Sequence, residues 1–153
     1  MAIPAISRDL AAMINRHSAG GLIIHEGKVL AISWTTHEYV CFPKGGIQNG
    51  ETSEQAAVRE VFEETGYRAS IISPIKSWTH EFDRDGNHYI STVDYYLMEL
   101  VDDKPPTPHR ETYEKFENVW LVIDEASAKL TFDDAREALE IAIDLLDESR
   151  PLG

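Results

Sequence analysis

Residues 59 to 64 place Arg59, Glu60, Glu63 and Glu64 within two turns of any helix they form. Side chains at i, i+3 and i+4 share one helical face, so the three carboxylates must crowd together. Like charges so close are unfavourable unless a cation neutralises them, and hard oxygen ligands select magnesium, with manganese the alternative. The flanking residues predict the helix itself. Thr52 and Gln55 have the spacing of a capping box, and Gly66 provides a stop. On a 100° wheel Ala56 and Ala57 fall on the side of the glutamates, opposite Val58, Val61, Phe62 and Thr65. This predicts a bulky apolar face packed inward and an open acidic face with room for metal and an anionic ligand. Gly45, Gly46 and Gly50 in the preceding loop let backbone groups approach an ion or a phosphate.

The same residues resemble the signature box of the Nudix (MutT-like) hydrolases. Gly45, Glu51, Arg59-Glu60, an aliphatic, Glu63-Glu64 and Gly66 stand at the box spacing over residues 45–67, and only Tyr67 departs, standing where the family has an aliphatic. The resemblance implies an α/β fold, an α/β/α sandwich with a mixed β-sheet between helices. It implies Glu60 and Glu64 as principal metal ligands, Glu63 as a further ligand or neighbour, and the Gly45 carbonyl completing the site. Arg59 is expected to orient these carboxylates, with Glu51 structural. The implied chemistry is attack of a metal-activated water on a diphosphate linkage. The general base is left among Glu60, Glu63 and Glu114, the last resembling a family loop glutamate ahead of a tryptophan-bearing strand.

Phe42-Pro43-Lys44-Gly45 resembles the opening of family members that cleave dinucleoside polyphosphates or diphosphoinositol polyphosphates, and Lys44 is a phosphate contact on that reading. Gly46 departs, standing where many of those enzymes have histidine. Arg84, His88, Tyr89 and Arg110 are further candidate substrate contacts, with His109 and Lys115 beside them. The expected substrate is a small nucleoside polyphosphate, diadenosine tetraphosphate-like. A nucleoside triphosphate pyrophosphohydrolase is the alternative, and a binding module without turnover is a third reading that the intact glutamate set disfavours.

At 153 residues and a net charge of −13 the chain suits one domain, residues 1–153, and argues against a nucleic-acid partner. No apolar run is long enough to span a bilayer, so no membrane partner and a cytoplasmic location are expected. A monomer or homodimer is expected. The lone Cys41 fits a reducing compartment and reads as a small core residue. Along the chain the pattern predicts a short helix over 7–16, a hairpin of 19–25 with 28–34, and a short strand at 39–42. Further strands follow at 69–75, 77–82, 88–101 and 118–123, with a turn over 83–87 and a helix over 133–148.

Overall fold

The computed structural model describes residues 12–36, 38–107 and 116–149. Seven strands, β1 (Met13–His25), β2 (Lys28–Trp34), β3 (Val40–Cys41), β4 (Lys44–Gly46), β5 (Ala69–Arg84), β6 (Asn87–Leu100) and β7 (Phe116–Val122), build one sheet. Three helices accompany them among the described residues: α1 (Ser53–Thr65), α2 (Ile123–Lys129) and α3 (Asp133–Ser149). The path runs β3-β2-β1-β6-β5, with β4 paired to β1 and β7 to β2. Only β1 and β6 run parallel, from Met13↔His88 to Ile23↔Met98, so the sheet is mixed.

Strand alternation sorts the core into two layers. Ala19 and Ile23 of β1, Leu30 of β2, and Tyr96 and Met98 of β6 pack against Ala56, Ala57 and Val61 of α1. Their neighbours Leu22, Val29, Ala31, Tyr95 and Leu97 face the other way, onto Ala126 of α2 and Ala135, Ala138, Leu139 and Ala142 of α3. The expected α/β/α sandwich is therefore present, and no described helix is long and apolar enough to cross a membrane.

Three local expectations change. Met13 to Arg16 begin β1 rather than end a helix, because β6 offers them a ladder along their whole length; residues 7–11 lie outside the described residues. The runs at 69–75 and 77–82 are one strand of 16 residues, bent by irregularities at Ile71/Ser73 and Pro74/Lys76. The hairpin of β1 and β2 pairs only beside its turn, at Ile24↔Val29 and His25↔Lys28. Farther along, β1 gives that edge to β4 instead, at Ser18↔Gly46, Ala19↔Gly45 and Gly20↔Lys44. This exchange lays Lys44-Gly45-Gly46 alongside α1.

Candidate active site between the glutamate helix and strand β4

Helix α1 begins where its sequence predicts. Thr52 Oγ1 accepts from the Gln55 backbone N–H at 3.1 Å, and Gln55 Oε1 accepts from the Thr52 N–H at 2.9 Å. It ends at Gly66, whose φ of 79° an L side chain rarely adopts and whose N–H closes on the Phe62 carbonyl. Between these caps the inward face combines the two alanines with only part of the expected bulky face. Ala56 and Ala57 are fully buried against the sheet together with Val61 and Thr65, while Val58 and Phe62 are half-buried. Alanines bring the helix close to the sheet, and the glutamates on the same flank descend with them onto β4.

The contacts of those carboxylates follow from this close approach. The Lys44 backbone N–H donates to Glu64 Oε2 at 3.0 Å. Glu60 lies so tightly on Gly45 that a Cβ there would stand 2.1 Å from Glu60 Oε2. A side chain at that position would displace the Glu60 carboxylate. Arg59 then organises the acids as a fork. Its Nε and Nη2 donate to both oxygens of Glu51 at 2.6 and 2.9 Å. Its Nη1 donates to Glu60 Oε1 at 2.7 Å and Glu63 Oε2 at 3.0 Å, and Nη2 also reaches the Gly46 carbonyl at 2.8 Å. Glu51, which also accepts from the Gln48 N–H, is held down at about 2 by the Arg59 hydrogen bonds. Glu64 moves the other way. Burial, reinforced by the neighbouring charges of Glu60 and Glu63, pushes it up to about 8, despite the Lys44 N–H.

Among the described residues, no three or more His, Cys, Asp or Glu side chains are grouped so as to hold a metal ion by themselves. Magnesium does not need such a group, since it is commonly held by one or two carboxylates and keeps several waters. Glu60 and Glu64 beside the Gly45 backbone form an all-oxygen set without thiolate or imidazole, suited to a hard dication. Burial first, and the charges of Glu60 and Glu63 second, disfavour the ionised form of Glu64, which a bound cation would favour.

Two clefts open beside this site and share Cys41, Lys44 and Phe132 in their walls. The smaller, about 220 Å³, touches Glu64 and is lined by Trp34, Tyr39 and Phe42 among others. The larger, about 400 Å³, runs over Ser91, Val93, Tyr95 and His80 to Asp133 and Asp134. Tyr39 and Phe132 are both well exposed at this mouth, with ring centroids 5.3 Å apart. His80 bonds Asp134 across the larger cleft. Cys41 is half-buried in the shared wall rather than enclosed in the core, and burial pushes its thiol up.

Sequence reasoning missed Tyr39, Phe132, His80 and Asp134 as a group, because they come from segments far apart in the chain. The aromatic Phe132 just ahead of the Asp133-Asp134 helix start was the only available signal.

The structure brings Lys44, Gly45, Arg59, Glu60, Glu63 and Glu64 together and separates the remaining candidates. Arg84, His88 and Tyr89 lie at the far end of the β5–β6 hairpin, outside the linings of both clefts. His88 is taken up by Asp83 at 2.6 Å and Glu81 at 3.2 Å. Tyr89 is buried against Phe82, so it offers no open ring for a base. Glu114, Arg110, His109 and Lys115 lie outside the described residues.

Comparison with known proteins agrees with this geometry. The NUDIX domain model matches residues 15–140. A Mycobacterium tuberculosis protein carrying the name MutT4 is 33% identical over 145 residues, covering 88% of this chain and 57% of its own length. The asymmetrical bis(5'-nucleosyl)-tetraphosphatase of Rattus norvegicus is 29% identical over 98 residues, covering 64% of this chain and 65% of its own. The chain thus spans somewhat under two thirds of the length of either relative. A C. elegans Ap4A hydrolase, solved as a binary complex, superposes with a TM-score of 0.68 at 20% identity, over 87% of this chain and 98% of that one. With the box residues 45–67 assembled on α1 and β4 as described, the chain belongs to the NUDIX family.

Proposed function

We propose that the protein is a divalent-cation-dependent hydrolase that cleaves a diphosphate linkage in a nucleoside polyphosphate, with a dinucleoside polyphosphate as preferred substrate. The observation that carries this reading is the seating of Glu60 and Glu64 on the Lys44-Gly45 backbone at the mouth of an aromatic cleft. Glu60 and Glu64 would hold the cation, magnesium by preference, with Glu63 and the Gly45 carbonyl nearby. When bound there, a cation would supply charge neutralisation for phosphoryl oxygens and a lowered pKa for an attacking water.

This chain's own residues do the rest. Lys44 offers its ammonium to the polyphosphate from the wall common to both clefts. Tyr39 and Phe132 present exposed rings on which a nucleobase can stack. Arg59 fixes the orientations of Glu60 and Glu63 through a hydrogen bond to each, and either can accept the proton lost by the water. Glu114 is the third candidate base.

The tetraphosphatase relative supports the two-ended substrate, and a nucleoside triphosphate pyrophosphohydrolase is the second reading. Product analysis on a panel of dinucleoside polyphosphates, nucleoside triphosphates and diphosphoinositol polyphosphates with magnesium decides between them. The proposal requires the dinucleoside compound to be hydrolysed with the highest kcat/KM. A preference for triphosphates would establish the second reading, and no turnover of any compound would refute both.

A further inference from the structure

The far end of the β5–β6 hairpin holds two guanidiniums that the hydrolytic site leaves unused. Phe82 and Tyr89 face each other across the hairpin, stacked with centroids 5.1 Å apart and planes 11° from parallel. The Arg16 guanidinium lies 4.6 Å over the Tyr89 ring. That of Arg84 lies 5.1 Å over Phe82 and 5.6 Å over Tyr89. A guanidinium over an aromatic face is attracted through its charge and keeps N–H donors that can serve an anion. Among the described residues, no acid bonds either guanidinium. Glu81 and Asp83 project from the opposite face of the hairpin, where they hold His88. Two like charges gathered on one aromatic pair, in a chain of net charge −13, suit an anion lying across them.

Their position gives that anion an identity. His80 and Ser91 line the larger cleft, and Phe82 and Tyr89 are the next residues on the same face of the sheet, ~7 Å farther along. Arg16 pairs with Ser91, while Gly20, the partner of Lys44, lies four residues up β1, ~13 Å away. One sheet face thus runs from Lys44, past His80 and Ser91, to the guanidiniums. A compact nucleotide bound at Lys44 would not span it, whereas a longer polyphosphate chain joining two nucleosides would.

We propose that Arg16 and Arg84 form a distal subsite that binds the phosphoryl groups remote from the scissile linkage in a polyphosphate chain joining two nucleosides, with that linkage at Glu60 and Glu64. This rests on the hydrolytic reading above and names the feature that selects long substrates. Arginine forks bind phosphate in a bidentate manner, so lysines should replace them only in part.

The test uses the full chain with Arg16→Gln and Arg84→Gln combined, beside Arg16→Lys with Arg84→Lys as a charge-keeping control. The first readout is calorimetric binding of inorganic tripolyphosphate in a Glu64→Gln background. Affinity should fall at least tenfold in the glutamine pair and by less in the lysine pair; equal affinity in all three proteins would overturn the subsite. The second readout is the ratio of kcat/KM for diadenosine tetraphosphate over ATP. It should fall at least tenfold, through KM of the longer substrate. An unchanged ratio would overturn the proposal. If Glu64→Gln retains turnover, the hydrolytic reading fails, while the tripolyphosphate measurement still decides the subsite.

Discussion

Helices α1 and α3 cover opposite faces of the same sheet with the same device and opposite consequences. Each sets a stripe of alanines on the strands, Ala56 and Ala57 on α1, and Ala135, Ala138 and Ala142 on α3. On α3 the residues beside the stripe are Leu139, Ile143 and Leu146, so the close approach simply extends the core. On α1 they are Glu60 and Glu64, so the same approach presses carboxylates against β4. Small residues therefore make two different things here. On one side they make a dry layer, and on the other a charged seam that folding alone leaves strained and a cation can relieve.

The sharpest way to break this contrast is at Glu64. Glu64→Gln keeps the shape and removes the charge, and it should cost at least ~10²-fold in kcat. Near-normal turnover would remove Glu64 from the cation site. Gly45→Ala comes next, because its Cβ would occupy space now held by the Glu60 carboxylate. Steady-state kinetics should show a loss of roughly 10–100-fold, comparable to other changes that misorient a metal ligand. Unaltered kinetics would mean that the tight seating of Glu60 is immaterial. On the α3 side, Phe132→Ala should act on binding rather than chemistry. Loss of base stacking at ~1–3 kcal/mol predicts a rise in KM of roughly 5- to 150-fold at constant kcat. A fall in kcat alone would place Phe132 outside the base pocket. The smallest effect is expected at the start of α1, where Thr52→Ala removes one half of the capping box. Denaturant unfolding should register a loss of about 1 kcal/mol, and no loss would mean that packing alone fixes that end of the helix.

Much of this arrangement was legible in the chain, wherever the determining contact is local. The caps of α1 at Thr52 and Gly66, the Arg59–Glu51 pairing and the inner stripe of α3 depend on neighbours within a few turns, and the residues announce them. The inward face of α1 was legible only in part: Val61 and Thr65 are buried as expected, but Ala56 and Ala57 join them, because residue size alone does not say which face meets the sheet. The N-terminal segment was misread because its ladder partner, β6, lies more than 70 residues away. Arg84, Tyr89 and His88 looked like one group along the chain, yet strand parity sends His88 to the opposite face from the other two. The aromatic mouth of Tyr39 and Phe132 was illegible for a similar reason, since a cleft between β3 and α3 leaves no mark in local spacing.

The seam on α1 also predicts how stability depends on pH. Burial raises Glu64 from an ordinary carboxylate value to about 8. The stability associated with its protonated form is therefore fully present below about pH 4.5 and is lost as pH rises through about 8. A cation that occupies the seam replaces the proton and restores that stability. The direct measurement is the melting temperature of the wild-type chain and of Glu64→Gln at pH 8 and pH 5, each with and without millimolar magnesium. The account predicts a magnesium-dependent rise in wild type that is larger at pH 8 and is reduced or lost in the variant. No rise in wild type at pH 8, or an equal rise in both proteins, would contradict it.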